Sequence, residues 1–236
     1  MKDKLQFSKL KKTDKLLAVL KSLGLTEKDF LDSGCTATVF KKNNQAVKVC
    51  RKTIRYFENY TGNAQSFKNH INRLGHIFLP VNEILYEDDD FFIYTQDLCQ
   101  PLEKEIINKK ITIEFFQLFK SMIKEKCMVS GLSPGNLCSY RGQILIYDYH
   151  GLHPLKSLNS GRIARNLTKY MTLTFCPQKH HHHKAILTEF NKKTVDQLTK
   201  LPSTFIDLLK AMLNDNLSST EIIQLIDRCL QQIASK

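Results

Sequence analysis

The chain contains no tryptophan, and only nine of its 236 residues are glycine and six are proline. So little of either excludes collagen-like and linker-rich architectures and argues against long disordered stretches. No apolar run approaches the roughly 18–20 residues of a membrane-spanning helix. The opening residues, Met1 to Gln6, lack the apolar core of a secretory signal. The seven cysteines are odd in number, scattered, and never in Cys-x-x-Cys spacing, so a disulfide framework or a zinc ribbon is not expected. Most of them read as small buried hydrophobes. These absences predict a protein of a reducing compartment, either cytoplasmic or exported without a cleaved signal peptide into a host cytosol.

What is present is a large apolar share, 42 %, enough for a true core, and a net charge of +12. Length and core suit one domain of two lobes or two small domains. The charge favours an anionic partner such as nucleotide phosphate or acidic lipid. Nucleic acid is the least favoured, because no basic-aromatic interleaving of a recognition module is found.

The apolar pattern divides the chain into three segments. Residues 1–30 form a basic leader in which Asp14 to Leu23 has helical spacing, with Leu16, Leu17, Leu20 and Leu23 on one side, Thr13 as a cap and Gly24 as a stop. Such a helix either packs on the adjacent lobe or touches an anionic membrane surface. Residues 31–98 alternate as strands: Leu31 to Phe40 with a turn at Gly34, then Gln45 to Cys50 beyond a turn at 41–44, then Val81 to Glu87 and Phe91 to Gln96. A helix is expected over roughly 53–75, and Asp88 to Asp90 read as an exposed hairpin turn. Residues 99–236 are mostly helical, with a helix over 112–126, a strand from Gln143 to Tyr147, and a capping box at Ser218 to Glu221 before Ile222 and Ile226.

Three groups in this pattern carry chemistry. Lys48 lies within the apolar strand Ala46-Val47-Lys48, where an unpaired ammonium is costly. Residues 129–136 read Val-Ser-Gly-Leu-Ser-Pro-Gly-Asn, and twelve residues past Asn136, after an apolar run, comes Asp148. The Leu-x-Pro-x-Asn ending, the strand and the Asp resemble the catalytic loop and metal-binding segment of the protein-kinase family. The order of strand, turn, strand with Ala-x-Lys, helix, hairpin, helix, loop, strand and Asp is similar to that family over most of the chain. The resemblance implies an α+β, two-lobed kinase-like fold of reduced size, with a β-rich N-lobe over 31–98 and a helical C-lobe over 99–236. It implies ATP and Mg²⁺ as cofactors. Gly34, Ala37, Val39 and Ala46 would surround the nucleotide, Lys48 would hold its phosphates, and Asn136 and Asp148 would hold the metal. Catalytic roles would fall to Lys48 and Asp148, and adenine would lie against the segment from Thr95 to Cys99.

The departures from the family are as informative. Of the glycine-rich loop, Asp32, Gly34, Ala37 and Val39 occupy the matching positions, so one glycine of three remains. His70 stands where the next helix usually offers a Glu to the lysine, and Glu58 is the only earlier carboxylate of that segment. Ser133 replaces the Lys of the catalytic loop, and Gly131 replaces its Asp, the catalytic base. Asp148-Tyr149-His150-Gly151 resembles an Asp-x-x-Gly variant found in some small bacterial kinase-like proteins, including ones linked to lipopolysaccharide phosphorylation. Residues 202–213 and 218–223 resemble closing helices of a kinase C-lobe, without the usual arginine, and Tyr170 to Thr172 only echo an Ala-Pro-Glu segment. His180 to His183 read as a solvated loop. The expected function is an atypical kinase or nucleotide-binding pseudokinase of regulatory or effector type, acting on or binding a protein. The alternatives are a kinase-shaped binding module without turnover, or a small-molecule or lipopolysaccharide kinase, for which Arg162 and Arg165 are the hint.

Overall fold

The computed structural model of the chain describes residues 14–33, 37–52, 62–102, 109–129, 134–149, 152–154, 207–208, 210–211 and 217–235. Backbone contacts divide the chain into two units, Met1–Cys99 and Gln100–Lys236.

The first unit is built on five antiparallel strands: β1 (Phe30–Ser33), β2 (Ala37–Lys42), β3 (Gln45–Arg51), β4 (Glu83–Glu87) and β5 (Phe91–Asp97), in the order β1-β2-β3-β5-β4. The β2–β3 turn is tighter than the sequence pattern predicts. Both strands extend to Lys42 and Gln45, and Asn43, at φ +55°, takes the left-handed conformation that asparagine tolerates. Because strand side chains alternate, the register assigns each residue to a face. Val47 opposite Phe40 and Val49 opposite Ile93 fall on one side; Lys48 opposite Val39 and Tyr94, and Ala46 opposite Gln96, fall on the other.

The first face is covered by helix α1 (Asp14–Ser22). Leu16 and Leu20 are buried in one cluster with Leu25, Phe40, Val47, Val49, Phe91 and Ile93. The leucine stripe thus closes the sheet, while Leu17 stays 45 % exposed. Gly24 ends the helix at φ +68°. Its amide donates to Lys21 O and that of Leu25 to Leu20 O, which satisfies two end carbonyls. Lys15 reaches Asp88 at 2.8 Å, and that carboxylate is only 10 % exposed. Asp88 Oδ1 also accepts the amides of Asp90 and Phe91, and Oδ2 accepts the Tyr86 hydroxyl. The acidic turn therefore does not simply face water: Asp89 and Asp90 are exposed, but Asp88 is the anchor of α1.

The second face is covered by helix α2 (Ala64–Arg73), which lies within the helical stretch expected over 53–75; residues 53–61 of that stretch lie outside the described residues. Asn63 caps it by accepting the Ser66 amide. Phe67 stands edge-on to Phe92, with centroids 5.2 Å apart, and tilted against Tyr94.

The second unit places helix α3 (Lys109–Lys124) at its centre. Phe115, Phe116, Phe119, Met122 and Ile123 are all buried, and the helix packs on α4 (Ser219–Ser235). The capping box read from the sequence is formed: Glu221 accepts from the Ser218 amide and hydroxyl, and Ser218 Oγ accepts the Glu221 amide. Ile222, Ile226 and Cys229 form the buried side of α4, and Lys120 pairs with Asp227 across the two helices. Short strands flank this core. β6 (Gln100–Pro101), β8 (Leu137–Tyr140) and β9 (Gln143–Ile146) make one small sheet, and β7 (Cys127–Val129) with β10 (Leu152–Pro154) another. β9 is the strand expected from Gln143, ending one residue earlier at Ile146, and β6, β7 and β10 are not marked by the sequence pattern. Among the described residues no helix is long and apolar enough to cross a membrane.

Two outcomes test this packing. Ile226→Ala leaves a cavity between α4 and α3 and is expected to lower stability by about 2–5 kcal/mol in chemical denaturation. At Asp88, burial pushes the carboxyl up, but the hydrogen bonds from Lys15, the Phe91 and Asp90 amides and Tyr86 outweigh it and hold the group below its usual value. A depressed folded pKa stabilises above the unfolded value and ceases to do so as pH falls through the folded one. The stability gap between the native chain and Asp88→Asn should therefore be widest above the ordinary aspartate value of about 4 and close as pH falls below it in thermal melts.

Candidate functional site

β3 is an interior strand, hydrogen-bonded to β2 on one side and β5 on the other. An edge-strand lysine reaching solvent is thereby ruled out for Lys48, which is 6 % exposed. Its neighbours across the ladders are Val39 and Tyr94, and Ala37, Ala46 and Cys50 share its face. Ala37 and Ala46 are small and buried, so this face is low beside the ammonium. Four of the residues expected around a nucleotide, Ala37, Val39, Ala46 and Lys48, are thus on one side of one sheet. Gly34 lies outside the described residues.

The end of β5 is fixed by a polar network the sequence pattern does not announce. Asn72, in the last turn of α2, donates Nδ2 to Val81 O at 2.9 Å and accepts the Val81 amide on Oδ1 at 2.8 Å. Asn82 then donates its amide to Thr95 O and Nδ2 to Asp97 Oδ1. Gln96, on the Lys48 face by register, is buried and donates Nε2 to Leu79 O. A single amide side chain thus satisfies both backbone groups of a buried residue, Val81, next to Asn82, which binds the end of β5; the family resemblance implies adenine at that strand end. Nothing in periodicity marks Asn72; it is an exposed asparagine near a helix end, and its role shows only in the bonds to Val81.

His70 lies on α2, and its ring shares a hydrogen bond with Arg73 Nη2 at 3.3 Å. Burial, then the Arg73 charge, hold its pKa below the ordinary histidine value. At neutral pH it is uncharged and supplies no anion in place of the expected Glu. Glu58 lies outside the described residues. The carboxylate that does meet α2 is Glu87, which accepts the Ala64 amide at 3.0 Å and pairs with Lys52 at 2.7 Å.

In the second unit, Pro134–Asn136 make one 3₁₀ turn leading into β8. Leu137 pairs with Ile146, and the Tyr147 amide donates to Asn136 O at 3.1 Å. The Tyr147 hydroxyl donates to Gly135 O. The hairpin therefore folds Asn136 and Asp148 to the same end of the β8–β9 ladder, each half-buried. Tyr149 is buried just beyond. An amide and a carboxylate oxygen are the hard donors Mg²⁺ takes when phosphates complete its shell. Among the described residues no three His, Cys, Asp or Glu side chains cluster as a protein-only metal site. Gly131, Ser133, His150, Arg162, Arg165, Tyr170 to Thr172 and the run His180 to His183 lie outside the described residues.

Four of the five described cysteines are buried. Burial, reinforced by Glu125, pushes the Cys127 thiol up to about 12, and burial pushes that of Cys229 up to about 11. They behave as the small hydrophobes expected and not as nucleophiles.

The Asn72 clamp has a direct check. Asn72→Ala leaves the buried Val81 amide and carbonyl without their partners, and the expected loss of stability is on the order of 2 kcal/mol by denaturant titration.

No family model matches the chain, and no curated protein matches it in sequence. Solved structures do. The structure of vaccinia related kinase 3 aligns with a TM-score of 0.58 at 8 % identity, covering 87 % of this chain and 88 % of that one. The bifunctional kinase-methyltransferase WbdD aligns with a TM-score of 0.46 at 13 % identity, over 83 % of this chain and 43 % of that one. At such identities the likeness speaks for architecture. With the antiparallel five-stranded sheet, the helix on its lysine face and the helical second unit, the chain has an α+β protein-kinase-like fold.

Proposed function

We propose that the protein binds ATP with Mg²⁺ and acts as an atypical kinase or pseudokinase towards a protein partner, with phosphoryl transfer slow or conditional. The observation that carries this reading is the burial of Lys48 in the interior strand of a kinase-like sheet. An ammonium held there is stabilised by negative charge beside it, and polyphosphate supplies such charge. Lys48 would hold the phosphates, with Ala37, Val39 and Ala46 against the base. Asn136 Oδ1 and the Asp148 carboxylate would hold the metal. Mg²⁺, when bound, neutralises phosphate charge and orients the transferred group.

Gly131 has no side chain to accept the proton of an attacking hydroxyl. General-base assistance is typically worth about 10²–10⁴-fold, or roughly 3–5 kcal/mol of barrier. Positioning and charge neutralisation carry much of phosphoryl transfer, so the loss slows turnover without abolishing it. A second reading, a kinase-shaped module that captures a protein without turnover, is favoured by the same Gly131 together with the neutral His70 where a carboxylate is expected. A small-molecule or lipopolysaccharide acceptor is the remaining alternative. Among the described residues of the leader, contact of residues 1–30 with an anionic membrane would involve Leu17 and Lys21, since Leu16 and Leu20 are buried in the sheet core. The buried cysteines fit a reducing cytosol, the cell's own or a host's.

Calorimetric titration with ATP, with and without Mg²⁺, separates these readings from their failure. Metal-dependent binding is expected. Lys48→Met should weaken it about tenfold or more, roughly the worth of one charge-assisted contact to phosphate. Asp148→Asn should remove the dependence on Mg²⁺. If the native chain shows no heat and no thermal shift with ATP under either condition, the nucleotide reading is wrong.

A further inference from the structure

Glu87 and Asp88 are consecutive residues at the end of β4, and extended backbone sends consecutive side chains to opposite faces. Glu87 pairs with Phe92 in the ladder and so lies on the face covered by α2. Its carboxylate accepts the Ala64 amide, the first residue of that helix, and holds Lys52. Asp88 turns the other way and holds Lys15 of α1 at 2.8 Å. The intervening turn is tied on every side. Asp88 accepts the amides of Asp90 and Phe91, its own amide donates to Phe91 O, and the Lys52 amide donates to Asp90 O. Lys52 thus touches the turn with its backbone and Glu87 with its side chain.

The two helices differ in what keeps them helical. α1 has nine residues, and isolated helices under about 12–15 residues are marginal in water. It exists as a helix because Leu16 and Leu20 are buried and Lys15 is held, so leaving the sheet and losing helical structure are one event. α2 is set by its Asn63 cap and the Glu87 clasp at one end and by the Asn72 clamp at the other. Between these ends Phe67 lies on Phe92 and Tyr94, and Tyr94 stands directly opposite Lys48.

We propose that the β4–β5 turn is a two-sided strap that couples docking of α1 on one face of the sheet to the position of the α2 N-terminus on the other. When α1 is docked, Lys15 fixes Asp88 and the turn, and Glu87 is presented to the Ala64 amide. When α1 leaves, the turn loses its anchor and the clasp on α2 loosens. Any partner that captures the leader would thereby reach the helix that covers the lysine face without touching that face. The coupling is a property of the first unit and does not depend on nucleotide being the ligand.

Hydrogen exchange on the full chain, resolved by residue, tests it. The probes are the Leu20 amide for α1, the Ala64 amide for the clasp, and the Ile71 amide for the body of α2. Lys15→Ala and Leu16→Ala each undock α1 to different degrees. Both are expected to speed Leu20 and, by about fivefold or more, Ala64, the lower end of coupling between distinct sites, with Ile71 little changed. In a Glu87→Ala background, which removes the acceptor for the Ala64 amide, the same changes should add nothing further at Ala64. Faster exchange at Leu20 with Ala64 unmoved overturns the coupling. So does an equal rise at Ala64 and Ile71 in both variants, which reports opening of the whole unit.

Discussion

The register of β3 between β2 and β5 is the constraint on which the rest of the first unit depends. It sets Val47 and Val49 against the leucines of α1 and Lys48 on the face shared with Ala37, Val39, Ala46 and Gln96. A slip of one residue on either ladder would exchange the two sets. The ammonium would then enter a cluster of leucine and phenylalanine side chains, and two valines would take its place beside Ala37, Val39 and Gln96. The penalty for an ammonium in apolar surroundings therefore helps select the pairing that keeps Lys48 off the leucine-covered face.

The same logic explains how much of the molecule could be read from residues alone. The α1 stripe, the strands of the first sheet, the Ser218 capping box and the buried lysine all rest on short-range patterns with a physical sign: spacing, alternation, a cap, a charge where none belongs. The features that escaped the pattern are of another kind. β6 and β7 are two and three residues long and owe their existence to partners distant in sequence, so no periodicity can show them. Asn72 and Glu87 look like surface residues until the chain folds, because what they satisfy is backbone on another element. Asp88 was hidden by its neighbours: three adjacent carboxylates read as one solvated turn, yet a turn residue next to a strand end is the one that can bend back under it.

In the second unit, the stretch from Gly135 to Tyr149 is organised more tightly than a loop with altered chemistry needs to be. Tyr147 ties the hairpin to the 3₁₀ turn through both its amide and its hydroxyl, and Tyr149 is buried beyond Asp148. Under the proposed function, a segment that keeps its amide and carboxylate at one end of a ladder, in a sequence with Gly131 where the family has its base, would separate holding a ligand from converting it. Such separation is physically consistent, because charge neutralisation and proton transfer are supplied by different groups.

The raised thiol values have a consequence for durability. Burial, reinforced by Glu125, keeps the Cys127 thiol protonated at neutral pH, and the reactive form is the sulfur anion. Electrophiles and oxidants then find this sulfur quiet for as long as the core around it stays closed, and covalent damage there becomes a record of how often that core has opened.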